Sequence, residues 1–441
     1  MTVVSEEPLQ REAGTERLVS LDVFRGATIA AMILVNDAGD WNKTYAPLLH
    51  AEWNGWTPTD LIFPFFLFIL GVAIPYLDVF RGATIAAMIL VNDAGDWNKT
   101  YAPLLHAEWN GWTPTDLIFP FFLFILGVAI PYAFAGRLER SGGDRGPLHR
   151  QIVRRTLILL ALGLFLNWFP FYTVSWPAAR IPGVLQRIAV VYFVAALAWL
   201  HLGPRSRVAL TLSLLAGYWL AMMLIPVPGH GAGDLSPDGN LAGWLDHLVL
   251  GRHTWRKAPG PGDPEGILST VPAIATALLG LFTGDGLRSP RTRREKLMGL
   301  LLWGCAATIA GLVLGRWFPI NKNLWTSTYV LFTAGLALLL LAATYELVDI
   351  RGRDAWARPF LVFGTNAIAA FFGSTLMAKI FYLIHWTEGS ETVSLQQWLY
   401  RHLFASWLPD YVASLAWALA FLALWWGLMS VLYRRRIFIK I

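Results

Sequence analysis

LLHAEWNGWTPTDLIFPFFLFILG occupies residues 104–127, and the same letters occupy residues 48–71. The second half of this string is apolar enough to enter a bilayer. The first half is aromatic and polar, and holds a histidine with nearby carboxylates. The identity extends in both directions: residues 21–76 and 77–132 agree at every position. Solenoids and inverted-repeat transporters are built from repeats that have diverged. A perfect repeat instead marks a duplication that is recent, engineered or an assembly artefact. The unit repeated is one helical hairpin, so each residue in it with chemical potential occurs twice.

Composition sets the class. The chain has 441 residues, 56% hydrophobic and 15% charged, against about 25% charged in soluble domains. Apolar runs recur along its length, which predicts an all-α polytopic membrane protein. Spans are expected at 22–40, 59–76, 78–96, 115–134, 154–172, 183–201, 208–227, 267–284, 297–315, 326–348, 359–384 and 411–433. That is about 12 helices, or 10 plus the duplicated hairpin. The organisation read from this is a polar tail (1–20), hairpin copy one (21–76), hairpin copy two (77–132) and the remaining bundle (133–441). A Gly-, Pro- and Asp-rich periplasmic loop, 228–266, is expected to form a partly ordered cap. No short apolar core with a cleavage site precedes the first span, so no signal peptide is read. Cys305 is the single cysteine, which excludes an intrachain disulfide and a cysteine metal cluster.

Lys and Arg concentrate in alternate segments: Arg11, Arg17 and Arg25; Arg137 to Arg155; Arg205 and Arg207; Arg288 to Lys296; Arg351 to Arg358; and Arg434 to Lys440. The positive-inside rule places these, and both termini, in the cytoplasm. The net charge of +6 is therefore a topology signal, and no nucleic-acid partner is read from it. Residues 59–96 as one straight helix would run about 57 Å, nearly twice the ~30 Å hydrocarbon core. Pro75 with Asp78 and Arg81 predicts a turn there at the cytoplasmic face.

Polar groups inside spans are costly in lipid, so each is a candidate for function. Asn36 and Asp37 end the first span, and Asn92 and Asp93 repeat them. Asp60 and Asp116 open the next span after a threonine, where a carboxylate also suits a helix start. Arg187, Asn366, Lys379 and Glu265 lie in or beside later spans. Arg187 also suits a structural ion pair, Asn366 an interhelical hydrogen bond, and Lys379 snorkelling. His50 and His106 lie in the loops between paired spans, where an imidazole can act as a general base. Glu52 and Glu108 are near enough in sequence to orient them, and a solvated loop histidine is the bland alternative. His230, His247 and His253 have no metal-ligand spacing, and no metal is expected.

RLVSLDVFRG, LVND, LLHAEWNGWTPTDLIFPFFLFILG, IPGVLQRIAVVYF, DPEGILST, NKNLWTSTYVL and GTNAI follow one another in this chain. In this order they resemble the heparan-α-glucosaminide N-acetyltransferase family, including bacterial relatives labelled NagX and linked to N-acetylglucosamine use. The resemblance runs from about residue 17 onward. The large lumenal N-terminal domain of the animal enzyme is missing, which suggests the bacterial form, in the inner (plasma) membrane. It implies transfer of acetyl from cytoplasmic acetyl-CoA, as co-substrate, to the amine of a glucosamine-type sugar or glycan end on the periplasmic side. The family's essential His matches His50 and His106, its site Asn matches Asn36 and Asn92, and its Asp matches Asp60 and Asp116. The cations expected for CoA's phosphates are Arg25 or Arg81, with Arg187 a further candidate. A homodimer is implied by the animal relatives alone.

Two other readings compete: an amino-sugar permease, and an O-acyltransferase acting on an envelope polysaccharide. A permease should show broken helices at matching positions of two halves. Of the two copies, copy two keeps its short links to the spans that follow. It is therefore expected in the core, with His106 the active histidine.

Overall fold

The computed structural model describes residues 75–353 and 355–439. Arg25, Asn36, His50 and Asp60, with the rest of copy one up to residue 74, lie outside the described residues, and so does the chain entering the turn expected at Pro75. Residues 76–289 and 296–439 form one compact unit.

Copy two supplies its first two long helices, α1 (Pro75–Asn92) and α2 (Ile118–Arg140). They are followed by α3 (Gly146–Trp168), α4 (Val184–His201), α5 (Pro204–Leu224) and the short α6 (Leu241–Leu250). Next come α7 (Ile267–Arg288), α8 (Arg293–Leu314) and α9 (Ser327–Tyr345). Then follow α10 (Arg358–Thr365), α11 (Ala367–Leu383), a β1–β2 hairpin (His385–Glu388 with Glu391–Ser394), α12 (Leu395–Tyr400) and α13 (Asp410–Arg434). Among the described residues eight helices are long and apolar enough to span a bilayer, or nine if the bent pair α10–α11 counts as one. The expected span 78–96 overlaps α1, which is not among these eight and whose 18 residues carry Asp78 and Arg81 in the first turns. At ~1.5 Å per residue α1 is about 27 Å long.

The core is built on the α2–α7 pair, joined by α4 and α9. Leu123, Ile130 and Phe134 of α2 meet Ala273, Ala277 and Leu281 of α7, Tyr192 of α4 and Tyr329 of α9. Lipid tails are as apolar as leucine, so apolar burial alone does not drive such a pair together, and close backbone approach does. Gly127 and Gly280 permit it: a Cβ on either would stand 1.9 or 2.1 Å from a carbonyl oxygen of the facing helix. A second cluster joins Ile85 and Ile89 of α1 to Val362 and Phe363 of α10 and to Phe421 and Trp425 of α13. By contrast α8 leaves Leu302, Trp303 and Ile309 exposed, as a lipid-facing helix would.

One expected span is corrected. Residues 359–384 form two helices bent by 72° at Asn366, and not one straight helix. The Asn366 side chain explains the break. Its Nδ2 donates to Ile437 O (3.0 Å), and its Oδ1 accepts from Ile439 N–H (2.8 Å). The amide that a helix interior would leave idle is thus used to hold the C-terminal segment. The loop 228–266 is more ordered than its composition suggests. It carries α6, and its acidic residues form a hydrogen-bonded knot described below.

Candidate functional site

The residues between α1 and α2 form short turns that bring His106 back over the start of α2. Pro114 opens that helical start, and Asp116 stands at its third position. The Asp116 carboxylate accepts the Thr113 N–H (2.9 Å) and hydroxyl (3.1 Å), closing the helix start. It also accepts the Ala107 N–H at 3.1 Å. Its other oxygen lies 2.7 Å from His106 Nδ1. Asp116 is 1% exposed, while the imidazole is 51% exposed. A carboxylate only accepts, so it accepts from the Nδ1–H and leaves the lone pair on Nε2, away from the carboxylate. Asp116 is therefore both a helix cap and the partner of His106. Glu108 is exposed and does not orient the ring; Asp116 does.

A third group completes the site, and sequence reasoning missed it. Lys322 Nζ lies 2.8 Å from His106 Nδ1, 3.0 Å from Nε2 and 3.5 Å from Asp116 Oδ1. It comes from the NKNLWTST loop. There Asn321 fixes the turn through Leu324 N–H (2.9 Å) and reaches Asn110 across the gap (3.2 Å). Gly111 N–H donates to Ile320 O (2.9 Å), so the two loops are tied by backbone as well. From α9, Tyr329 donates to the Asp116 carbonyl at 2.5 Å. Burial lowers the Lys322 ammonium below its ordinary range, and the facing Asp116 charge opposes that. The one signal in sequence was the string itself, since a charged residue between two asparagines beside a span looks like an ordinary solvated loop.

The other candidates fall elsewhere. Arg187 lies at the His106 end of the bundle, buried, with its guanidinium 4.9 Å above the Trp325 ring. It donates to Ser269 Oγ, and among the described residues its Nε and Nη1 have no hydrogen-bond partner. Arg81 lies at the opposite end, in the first turns of α1, paired with Asp78 (2.9 Å) and donating to Gly364 O (3.3 Å). Arg155 is an electrostatic neighbour there of both Arg81 and Arg137. Arg155 stacks on Tyr192 at 4.7 Å, and among the described residues its buried Nε has no hydrogen-bond partner. Asn92 ends α1 at the His106 end and, among the described residues, has no hydrogen bond to the His106–Asp116 pair; it lines a separate cavity. Lys379 donates to the Leu166 and Phe169 carbonyls, capping α3. Glu265 is held by Arg180, which also grips Asp263 with two hydrogen bonds of 2.7 and 2.8 Å. His253 is bonded to the Ala179 carbonyl (2.7 Å), a structural role.

Residues 73–297, which contain all of copy two, match the family described as heparan-alpha-glucosaminide N-acetyltransferase, catalytic. The chain is similar to the Homo sapiens protein named heparan-alpha-glucosaminide N-acetyltransferase, 31% identical over 418 residues that cover 83% of this chain and 59% of that protein. The Mus musculus protein of the same name is 30% identical over 418 residues, covering 83% of this chain and 60% of its own length. The chain thus spans about 60% of the length of these relatives. With the matched region taking in half of it, the chain belongs to the heparan-alpha-glucosaminide N-acetyltransferase catalytic family.

Proposed function

We propose that this chain is a transmembrane acetyltransferase. It moves acetyl from acetyl-CoA, taken at the arginine-rich end, to the amine of a glucosamine-type sugar or glycan end at the His106 end. The observation that carries the proposal is the His106–Asp116 pair at 2.7 Å, with Lys322 against it. An amine attacks a thioester only when neutral, and it must then shed a proton. In the step proposed, the amine nitrogen bonds to the thioester carbonyl carbon and the carbon–sulfur bond breaks. The sulfur leaves as CoA thiolate, and the amine proton passes to His106 Nε2 as the Lys322 ammonium, 3.0 Å from that nitrogen, turns to the developing oxyanion. Asp116 holds the Nδ1 proton and so fixes the tautomer that can accept it. The Lys322 ammonium supplies positive charge where the carbonyl oxygen becomes negative.

The arginine-rich end suits CoA's phosphates. Arg155 feels the charges of both Arg81 and Arg137 there, and among the described residues its buried Nε has no hydrogen-bond partner. Phosphate oxygens are the natural acceptors for such donors. CoA bound there would supply an activated acetyl group.

The test uses the full chain, purified, with labelled acetyl-CoA and glucosamine. Transfer is expected in the wild type. His106→Ala should abolish it while His50→Ala spares it. The reverse result would put copy one in the active bundle. Absence of transfer, together with glucosamine uptake into vesicles, would replace this reading with the permease.

A further inference from the structure

A cavity of about 140 Å³ opens at the His106 end of α1, outside the His106–Asp116–Lys322 group. Asn92, Asp93, Trp97, Tyr382, Gln396 and Trp417 line it. Trp97 and Tyr382 are half exposed and form its mouth, while Gln396 and Trp417 are buried and form its floor. Gln396 Nε2 donates to Gly95 O (3.1 Å), which leaves its carbonyl oxygen as an acceptor. Among the described residues no hydrogen bond or ion pair reaches the Asp93 carboxylate.

A carboxylate set among aromatic rings without a cation beside it is unfavourable. A ligand that brings the cation would relieve this, and the ring faces attract a cation as well. Apolar cavities of about 150 Å³ take one benzene ring. This one therefore has room for a single six-membered ring whose substituents reach the open mouth, and is too small for CoA. A hexosamine has the matching parts: an ammonium for Asp93, C–H faces for Trp97 and Tyr382, and hydroxyls for Gln396.

We propose that this cavity binds the primary ammonium and ring of an amino sugar, as the entry subsite that receives the acceptor before its amine, once neutral, reaches His106. This rests on the amino-sugar reading above, and the experiment separates the two. Glucosamine is titrated into the purified full chain without acetyl-CoA, with binding read by calorimetry and tryptophan fluorescence. Binding is expected, at least tenfold weaker for N-acetylglucosamine and for glucose. Asp93→Asn should weaken glucosamine at least tenfold, and Trp97→Ala, at the exposed rim, should weaken it as well if the first variant fails to fold. Asp37→Asn, the same change in copy one, should leave binding as it is. In turnover, Asp93→Asn should raise the acceptor KM and leave the acetyl-CoA KM unchanged. Equal binding of glucose and glucosamine would overturn the subsite. So would loss of glucosamine binding when phosphatidylethanolamine replaces phosphatidylcholine in nanodiscs, because the same ammonium chemistry would then belong to a lipid headgroup. Transfer with an unchanged acceptor KM in Asp93→Asn would sink the subsite and keep the enzyme. Asp93-dependent binding without any transfer would do the opposite.

Discussion

Asp116 shows how much one buried carboxylate can organise. It closes the start of α2, holds the Ala107 backbone and orients His106, all through two oxygens. Asp116→Asn keeps the size and some of the capping but offers an amide where the imidazole proton needs an acceptor. A fall in kcat of about 10²–10⁴ is expected, with the fold retained by circular dichroism. Lys322→Met removes the charge beside the ring and should lower kcat by ~10²–10³, the usual effect of losing one donor to a developing oxyanion. Lys322→Arg should recover part of it. A Lys322→Met enzyme with wild-type kcat would exclude the lysine from the reaction. The local half of this site was legible in sequence, because the Thr–Pro–Thr–Asp string is a helix start wherever it occurs. Lys322 was not, since its meeting with His106 depends on a loop more than two hundred residues away.

At the scale of elements, α2 and α7 touch backbone to backbone through glycine. Gly280→Leu places a branched side chain where even a Cβ would stand 2.1 Å from Phe124 O. It should separate the pair and cut the yield of folded protein in detergent, read by size-exclusion chromatography and thermal aggregation; Gly286→Leu, in open space on α7, is the control. The outer loop makes a second prediction. Burial would push the Asp263 carboxyl up, yet the hydrogen bonds and charge of Arg180 hold it below its ordinary value. A depressed carboxylate stabilises above its unfolded pKa of about 3.9 and loses that stability as the pH falls through the folded value. The wild-type loop should therefore resist proteolysis down to about pH 4. Arg180→Met strands Asp263 without its cation, a loss of about 3–5 kcal/mol. The loop should then be cleaved readily at neutral pH, and unchanged cleavage would count against the pair as the fastener. Apolar runs announced the long helices. They did not announce the order within 228–266, because acidic and glycine-rich strings read as loose until the partners of Asp246 and Asp263 are known.

The whole molecule pairs an arginine-rich end, with Arg81, Arg137 and Arg155, with an opposite end where His106, Lys322 and the Asp93 cavity open. That separation suits a reaction whose donor and acceptor stay in different compartments. The bend at Asn366 belongs to this scale too, since residues far apart in the chain create it. No local pattern in 359–384 hints at it. A polar side chain in an apolar run reads as interhelical glue, and here the partner is the backbone of residues 437 and 439. Helix breakage thus depends on a strand of chain that carries no recognisable motif. Its practical consequence concerns how the protein is handled. A truncation before Ile437, or a bulky fusion that pulls this segment away, would strip the kink of its two clasps and leave an amide unsatisfied next to α1. Such a protein should denature at a lower temperature than one tagged at the other terminus, even though every residue proposed for chemistry is still present.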